Sequence, residues 1–456
     1  MSVQDYDLVV LGGGSGGYAA ALRAAELGSS VAIVEKDKLG GTCLHRGCVP
    51  TKALLHAGEI ADHTREAAAL GIRATWEGVD VAALTSYREG IVAKKHQGLQ
   101  GLIAARGITV IPGAGTLEPG PAVRVGGDLY RGKDVVVATG SATRTLPGIQ
   151  LGGRIVGSEQ ALELPAVPDR VTVLGGGVIG VEFASLWRSL GAEVTVIEAL
   201  PRLLPADDPV ISSHMERAFR KRGIRTALGS PVAAVSAEAD RVLVRLQDGT
   251  EIDSDLLLVA VGRAPVTAGL GLEQAGVVLD RGFVVVDDDL RTGAEHVWAV
   301  GDIVAGPQLA HRGFQQGIQV AERIAGRRPV HIPDHHIPRV TYSSPEAASI
   351  GLTEAAAREL HGDSVETFEY NLAGNAKSAI LGTPGVVKVV RRTAGPVLGV
   401  HMVGDRVGEL VAEAQLVVGW EAHPEDVAPF LHAHPTQSEA LGEAFLALAG
   451  SPLHTL

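Results

Sequence analysis

The sequence predicts an α/β protein that contains two copies of one βαβ unit and ends in an α+β domain. Residues 7–35 run from an apolar strand through a glycine-rich turn and an Ala-rich helix to a second apolar strand. The same pattern returns at residues 171–198, at a constant offset of 163 positions and without a gap. The last 120 or so residues change character, with strand-like segments followed by helical ones.

Length and composition limit the possible functions. The chain has 456 residues, 46% of them hydrophobic and 20% charged, with 58 glycines, which is typical of a large soluble α/β protein. A net charge of −12 argues against nucleic acid as a partner, because phosphate binding needs a basic surface. No membrane insertion is expected, since long apolar runs and a signal-peptide pattern are both missing. We therefore expect a cytoplasmic protein.

The first βαβ unit has the pattern of a dinucleotide-binding, Rossmann-like domain. Gly12 permits the tight turn, Gly14 lets the backbone approach a pyrophosphate, and Gly17 allows close helix packing. The helix that follows presents its N-terminus to the phosphates. Glu35, at the end of the second strand, is expected to accept hydrogen bonds from ribose hydroxyls. The alternative is a glycine-rich turn without a ligand.

The second unit repeats these positions with Gly175, Gly177, Gly180 and Glu198. Two dinucleotides and their transfer of reducing equivalents are the simplest interpretation. Glu198 would repel the 2′-phosphate of NADP⁺, so we expect NAD⁺ at this site. Arg202, four residues later, could favour NADP⁺ instead, or could be an ordinary loop charge.

Cys43 and Cys48 are the only cysteines, and they lie in the segment 40–59, GGTCLHRGCVPTKALLHAGE. In an ideal helix their Cα atoms would be about 8–9 Å apart, too far for a disulfide, so bonding requires a distorted backbone. Gly47 supplies that freedom, and Pro50 can open a regular helix. A zinc site lacks enough ligands, and two inert buried thiols are the remaining alternative. The nucleotide unit just upstream favours redox chemistry, and no metal is expected.

The runs GGTC, LHRGC and VPTKALL resemble the redox-active disulfide segment of the FAD-dependent pyridine nucleotide-disulphide oxidoreductases. Within this family, ALLHAGE is most similar to the dihydrolipoamide dehydrogenases. One departure is His45-Arg46, where the family more often has Asn-Val. This departure leaves the cysteines unchanged but adds positive charge, so the family's usual redox potential should not be assumed.

A candidate acid–base site lies near the C-terminus in LHAHPTQSEALGEAF. The HPTQSE run resembles the family's HPTxSE signature, which implies that His434 is the base that deprotonates a dithiol substrate. Glu439 would orient the imidazole, or could simply complete a helix capping box with Thr436, and the two roles are compatible. His432 is the rival base, expected behind His434.

The resemblance implies a reaction in which the thiolate of dihydrolipoamide attacks Cys43 and Cys48 leaves as a thiolate beside the flavin. Electrons then pass through FAD to NAD⁺. Lys52 and Glu182 are implied to form an ion pair near the flavin, although Lys52 could be a solvated helix residue. Alternatives are an NAD(P)H-dependent reductase of another disulfide, of the glutathione or mycothiol type, or a flavoprotein scaffold without redox activity.

The resemblance also implies cofactor contacts and a domain order. The implied domains are an FAD domain over 1–144 and 266–331, an NAD domain inserted at 145–265, and a dimerisation domain over 332–456. The implied partners are a second copy of the chain, the lipoyl domains and acyltransferase core of 2-oxo acid dehydrogenase complexes, or the lipoyl carrier protein of glycine cleavage. Besides the residues already named, the implied contacts to FAD or NAD are Lys36, Gly41, Thr42, Gly115, Thr139, Gly140, Ser141, Asp302, Ala310, Val232, Ala260, Gly262 and Arg263.

Overall fold

A computed structural model describes residues 2–455, which form two compact units. The first unit comprises the described residues up to Ala53, then 82–144 and 263–332. The second comprises 54–81, 145–262 and the described residues from Pro333 onward.

The helices, α1 to α13 in chain order, are Ser15–Glu26, Gly41–Arg46, Cys48–Glu66, Val81–Ala105, Ser158–Ala161, Val178–Leu190, Pro209–Lys221, Ala310–Ile324, Glu354–His361, Ala376–Leu381, Val407–Gly419, Pro424–Val427 and Glu439–Leu448. The strands, β1 to β24, are Val3–Leu11, Val31–Glu35, Thr109–Pro112, Gly115–Glu118, Ala122–Val125, Asp128–Val137, Ser141–Thr143, Ile155–Val156, Arg170–Leu174, Glu193–Ile197, Arg225–Ala227, Val232–Ala237, Val242–Leu246, Glu251–Ser254, Leu256–Val259, Arg263–Pro265, Leu279–Asp280, Phe283–Val284, Val297–Ala299, Arg339–Thr341, Glu346–Gly351, Val365–Asn371, Val386–Arg392 and Val397–Gly404.

The first unit is built on a seven-stranded sheet with the order β3-β2-β1-β6-β5-β4, and β19 also pairs with β6. Strand β1 lies in the middle and pairs in parallel with β2 and β6. Its side chains alternate between two cores, with Leu8 and Val10 in one and Val9 and Leu11 in the other. This burial on both faces explains why the strand is a continuous apolar run.

Helix α1 packs closely because glycines replace side chains at its contacts. A Cβ at Gly17 would lie 1.8 Å from the carbonyl oxygen of Gly12, so only glycine fits there. Similarly, a Cβ at Gly317 of α8 would lie 2.3 Å from the carbonyl oxygen of Gly16. The turn before α1 is therefore held against the end of β1 and against α8.

The second unit contains the repeat of this arrangement. Its parallel sheet has the order β11-β10-β9-β15-β8, with α6 following β9 as α1 follows β1. A Cβ at Gly180 would lie 1.9 Å from the carbonyl oxygen of Gly175, which reproduces the Gly17 contact. Gly12 and Gly175 both have positive φ, +107° and +114°, at the tight turn.

The C-terminal part of the second unit is an antiparallel sheet with the order β20-β21-β24-β23-β22. One face of its central strands packs Val387, Val389 and Met402 into a core with residues of α11 and α13. Helix α13 contributes Leu441 and Phe445, both fully buried. This packing fixes the start of α13, where the predicted base is found.

Three element boundaries differ from the sequence-based expectation. Strand β1 begins at Val3 rather than Asp7, because its first residues pair with β6. Helix α3 begins at Cys48, so Pro50 lies within its first turn, where a missing N–H is tolerated. Helix α13 begins only at Glu439, not at the predicted capping box. Among the described residues, no helix combines the length and apolar character needed to cross a membrane.

Candidate active site

The two cysteines lie at a break between two helices. Cys43 is in α2 and Cys48 is the first residue of α3, with Gly47 between the helices in a non-helical conformation. The backbone distortion expected between the cysteines is therefore present. Both cysteines are in the reduced form and partly buried, and their side chains are hydrogen-bonded to each other.

The dithiol segment is fastened to the first glycine-rich turn. The backbone N–H of Gly40 donates to the carbonyl oxygen of Gly13 at 2.8 Å. A Cβ at Gly41 would lie 2.8 Å from the Cα of Gly14, and both Gly40 and Gly41 have positive φ. The pair of glycines before Cys43 thus allows helix α2 to start directly on the turn.

The electrostatics of the pair favour a shared proton. The hydrogen bond to Cys48 and then burial raise the pKa of Cys43, while the positive charge of Lys52 opposes this. Burial raises the pKa of Tyr18 to about 12, and the two cysteines contribute to this shift. Tyr18, from α1, therefore remains a neutral phenol beside the dithiol at physiological pH.

The polar groups of the His45-Arg46 dipeptide have partners within the first unit. The Nε2 atom of His45 donates to the carbonyl oxygen of Leu39 at 2.9 Å, and its ring meets His96 edge to face at 4.8 Å. Arg46 forms an ion pair with Asp37. The added charge of Arg46 is thus partly compensated within the same segment.

The first nucleotide unit has the geometry expected of a dinucleotide-binding site. We call its glycine-rich turn 12–17, the start of α1 and the carboxylate of Glu35 the first cradle. The carboxylate of Glu35 accepts the N–H of Gly13 at 2.7 Å and that of Asp37 at 2.8 Å. Each carboxylate oxygen keeps a lone pair for a ribose hydroxyl. Gly14 ends the turn with open space where a side chain would be, and no side chain in the described chain caps helix α1. These features fit a bound FAD pyrophosphate.

The second unit has an equivalent second cradle, in which Glu198 makes the same two backbone hydrogen bonds as Glu35. Glu198 accepts the N–H of Gly176 at 2.7 Å and that of Leu200 at 2.8 Å. Gly177 again leaves open space at a helix start without a side-chain cap within the described residues. Arg202 donates to the carbonyl oxygens of Pro205 and, at 3.2 Å, of Asp207. Its guanidinium is therefore engaged by the loop that follows.

A hydrogen-bonded relay joins three of the residues predicted to contact FAD. Arg263 donates to the hydroxyl oxygen and to the carbonyl oxygen of Ser141, both at 2.7 Å. The hydroxyl of Ser141 in turn donates to the carboxylate of Asp302. Thr139 nearby donates to the carbonyl oxygen of Val266 at 2.7 Å. These hydrogen bonds fix the orientation of Asp302 in the helical turn that follows β19.

The remaining predicted contact residues divide by environment. Lys36 is exposed, Thr42 lies in α2, Ala310 begins α8, and Gly140 adopts a positive φ. Gly115 is buried where a Cβ would lie 2.6–2.8 Å from three apolar side chains, so packing alone explains it. In the second unit, the residues concerned are Val232 at the start of β12, Ala260 after β15, and Gly262 with positive φ.

The predicted base and its partner form a close pair in the second unit. His434 Nδ1 lies 2.7 Å from Glu439 Oε1, and the imidazole is 73% exposed. Because an ionised carboxylate only accepts, Nδ1 carries the proton and Nε2 keeps its lone pair in the neutral ring. Burial raises the pKa of Glu439, but hydrogen bonds from the N–H of Thr436 and from His434 hold it below its usual value.

Glu439 contacts both His434 and the backbone of its own segment. Its second carboxylate oxygen accepts the N–H of Thr436 at 2.7 Å, but because α13 begins only at Glu439, this hydrogen bond does not form the predicted capping box. The segment is also held from outside, because Asn375 donates to the carbonyl oxygen of Thr436 at 2.9 Å. Glu182, also in the second unit, is 3% exposed and accepts the N–H of Tyr342 at 3.0 Å.

Sequence patterns missed Tyr18 and Asn375. Tyr18 reaches the cysteines only because α2 folds back on the glycine turn, and the Gly40-Gly41 pair was the available signal. Asn375 is about 60 positions before the segment that it holds, and no local pattern connects the two.

Comparisons with known proteins place this site in a family. Residues 6–317 match the family model described as "Pyridine nucleotide-disulphide oxidoreductase". Residues 337–445 match the model for the dimerisation domain of the same family.

Curated relatives extend over the full length. The dihydrolipoyl dehydrogenase of Bacillus subtilis is 38% identical, with 99% of each chain covered. That of Thermus scotoductus is also 38% identical, with 100% of each covered. Among solved structures, LpdA from Mycobacterium tuberculosis superposes with a TM-score of 0.91 at 28% identity, covering 98% of this chain and 100% of that one. The HOCl-induced flavoprotein disulfide reductase RclA from Escherichia coli gives a TM-score of 0.86 at 27% identity, covering 96% of this chain and 99% of that one.

These comparisons confirm the predicted fold class, with two dinucleotide-binding domains and a C-terminal dimerisation domain. They also confirm the class of enzyme, an oxidoreductase that uses FAD and a pyridine nucleotide. The chain belongs to the pyridine nucleotide-disulphide oxidoreductase family.

Proposed function

We propose that this protein is a dihydrolipoamide dehydrogenase that oxidises protein-bound dihydrolipoamide and reduces NAD⁺ to NADH. The observation that carries the proposal is a hydrogen-bonded dithiol that is fastened to a dinucleotide cradle. The full-length likeness to two bacterial dihydrolipoyl dehydrogenases supports this choice of substrate. Lipoyl domains of a 2-oxo acid dehydrogenase complex, or a lipoyl carrier protein, are the proposed partners, and the cytoplasm is the proposed location.

The chain's own residues would carry the thiol chemistry. Dithiol substrates have thiol pKa values above 7, so a base must form the attacking thiolate. Nε2 of His434 takes this proton while Glu439 holds Nδ1, which stabilises the imidazolium that forms. The substrate thiolate attacks the Sγ of Cys43 in the oxidised enzyme, which breaks the S–S bond and releases Cys48 as a thiolate.

The second substrate thiol then completes the exchange. It attacks its partner sulfur in the mixed disulfide, closes the ring of lipoamide and releases Cys43. Two electrons and the protons of the substrate have then moved to the enzyme, with one proton retained between Cys43 and Cys48 as their hydrogen bond indicates. When bound, FAD supplies the two-electron chemistry that links this dithiol to NAD⁺.

The residues of the first cradle would hold the FAD, with the fixed carboxylates of Glu35 and Asp302 as acceptors for hydroxyl groups. Those of the second cradle would hold NAD⁺, with Glu198 on the ribose. Lys52 and Glu182 stay a predicted ion pair.

The test is NAD⁺ reduction driven by dihydrolipoamide, compared with NADPH-driven reduction of glutathione and mycothiol disulfides. We expect activity only in the first assay.

His434→Gln should lose at least about 10²-fold in this turnover, which is the usual scale for loss of a general base. NADH-driven dye reduction should remain, because it does not need the base. His335→Gln, at an exposed histidine of the same unit, is the matched control and should behave as wild type. Activity with glutathione or mycothiol disulfide alone would contradict the proposal.

A further inference from the structure

A second histidine–glutamate pair lies beside the proposed base. His432 Nε2 is 2.8 Å from Glu413 Oε1, and Glu413 belongs to helix α11. The side chain of His432 is 13% exposed, whereas that of His434 is 73% exposed. His432 is therefore held inside the protein, while His434 is open to a substrate.

The His432 ring packs directly against helix α13 at Gly442. A Cβ at Gly442 would lie 2.5 Å from Nδ1 of His432, so any other residue would push the ring away. Glycine within a helix costs about 1 kcal/mol relative to alanine. Contact with the His432 ring gives a physical reason for this buried glycine in α13. The ring thus connects the segment before His434 to both α11 and α13.

The two pairs also interact through their charges. The charged groups that face His432 are Glu413 from α11 and Glu439 from α13. The hydrogen bond to Glu413 raises the pKa of His432, against the effect of burial. In return, the charge of His432 contributes to the lowered pKa of Glu439.

We propose that His432, held by Glu413, is a positioning residue that fixes the His434 segment against α13 and, when its ring is protonated, places a positive charge beside Glu439. Glu439 then stays ionised to lower pH, and an ionised Glu439 is what orients His434 and stabilises it when it takes the substrate proton. The inference rests on the proposed function, because His434 is the base only in that reaction. His432 itself exchanges no proton with the substrate in this role.

The test uses His432→Gln and Glu413→Gln in the FAD-loaded enzyme, with dihydrolipoamide and NAD⁺ as substrates across a range of pH. Glutamine at position 432 keeps an N–H donor for Glu413 but carries no charge. We expect kcat to fall about tenfold at neutral pH, since small displacements of a catalytic group are costly. We also expect the acidic limb of the profile to move to higher pH, because Glu439 then becomes protonated earlier as the pH falls.

The matched control is His454→Gln. His454 Nδ1 lies 2.8 Å from Glu443 Oε1, so this variant makes the same change in a histidine–glutamate pair on the same helix α13. Its pH profile should equal that of the wild type. NADH-driven dye reduction should be equal in all variants, which shows that they are folded and hold FAD.

A readout without substrate separates this inference from the proposed function. The His432 ring, followed by NMR in histidine-labelled enzyme, should titrate at lower pH in Glu413→Gln than in wild type. An unchanged titration, or an unchanged pH profile in both variants, would overturn the inference. A loss in His432→Gln as large as in His434→Gln would also overturn it, because His432 would then be the base. A wild type without dihydrolipoamide activity would instead refute the proposed function, and the titration would still decide whether the pair exists.

Discussion

The carboxylate of Glu198 is fixed at the end of β10 by two backbone amides, from Gly176 and Leu200. A side chain held in this way cannot easily turn away from a ligand. At about 4 Å and an effective dielectric near 20, its repulsion of a phosphate charge has an upper bound of about 4 kcal/mol. Arg202 does little to offset this repulsion, because its guanidinium donates to carbonyl oxygens of the next loop.

We therefore predict that NAD⁺ is preferred over NADP⁺ by at least about 10²-fold in kcat/KM, because each 1.4 kcal/mol is a factor of ten. Glu198→Ala should lower this preference, because it weakens the binding of NAD⁺ and removes the repulsion of the 2′-phosphate of NADP⁺. The control is Glu193→Ala, at the exposed start of the same strand, which should leave the preference unchanged. Equal use of both cofactors by the wild type would show that the assignment of Glu198 is wrong.

Residues in local patterns could be predicted from sequence, and residues that depend on long-range contacts could not. The roles of Gly12, Gly17 and Glu35 follow from strand, turn and helix within 30 positions, and their geometry agrees with the pattern. The contact of His432 with Glu413 joins two elements 19 positions apart through tertiary packing. Its nearness to His434 in the chain made it a rival base, and the difference in exposure between the two side chains, 13% against 73%, could not be predicted from the sequence.

At the scale of elements, a row of polar side chains crosses three strands of the C-terminal sheet. His401 on β24 lies opposite Lys388 on β23, which lies opposite Glu369 on β22. Lys388 is 5% exposed and pairs with Asp208 at 3.1 Å and with Glu354 at 2.7 Å. Such buried charges persist only when they are paired. The sequence predicts these strands but not the row, because Asp208 comes from a distant helix start.

His401 is the titratable residue in this row whose charging the fold opposes. It is fully buried, Nε2 donates to the carbonyl oxygen of Leu352 at 3.0 Å, and Nδ1 has no hydrogen-bond partner among the described residues. Burial lowers its pKa from 6.5 to about 4. In the unfolded chain the imidazole would take up a proton near its ordinary pKa.

The sign of the pH effect follows from this difference. Because the folded pKa is the lower one, the stabilisation is present above about pH 6.5 and is lost as the pH falls towards 4. The total loss is on the order of 3 kcal/mol for a pKa that folding lowers from 6.5 to about 4. We predict that the Tm of His401→Gln falls less steeply than that of wild type between these pH values. His335→Gln, at an exposed site, should keep the wild-type slope, and equal slopes in all three proteins would contradict the prediction.

At the scale of the whole molecule, the internal repeat made most of the fold predictable. Two copies at one offset indicate two cradles. A Cβ at Gly17 would lie 1.8 Å from the carbonyl oxygen of Gly12, and a Cβ at Gly180 would lie 1.9 Å from that of Gly175, so the two turns have the same geometry. The small antiparallel additions, such as β12-β13-β14, were not predicted, because short strands without a sustained pattern carry little signal. Domain boundaries stay predictions.

Two exposed apolar side chains of the dimerisation domain directly precede the segment of the proposed base. Phe430 and Leu431 are 72% and 98% exposed, and His432 follows them in the chain. Apolar groups exposed together in this way indicate a protein interface. In a symmetric dimer the segment that carries His434 would then lie at the subunit boundary. We infer that His434 of one subunit serves the dithiol of the other.

This inference predicts complementation between two inactive variants. In a mixed dimer of Cys48→Ser and His434→Gln, one composite site has both changes and the other has intact Cys48 with intact His434. We expect activity with dihydrolipoamide to appear after subunit exchange, up to the level of one site per dimer, whereas each variant exchanged with itself stays inactive. Proven mixed dimers without activity would mean that His434 and Cys48 must belong to the same chain, since neither chain of such a dimer has both residues.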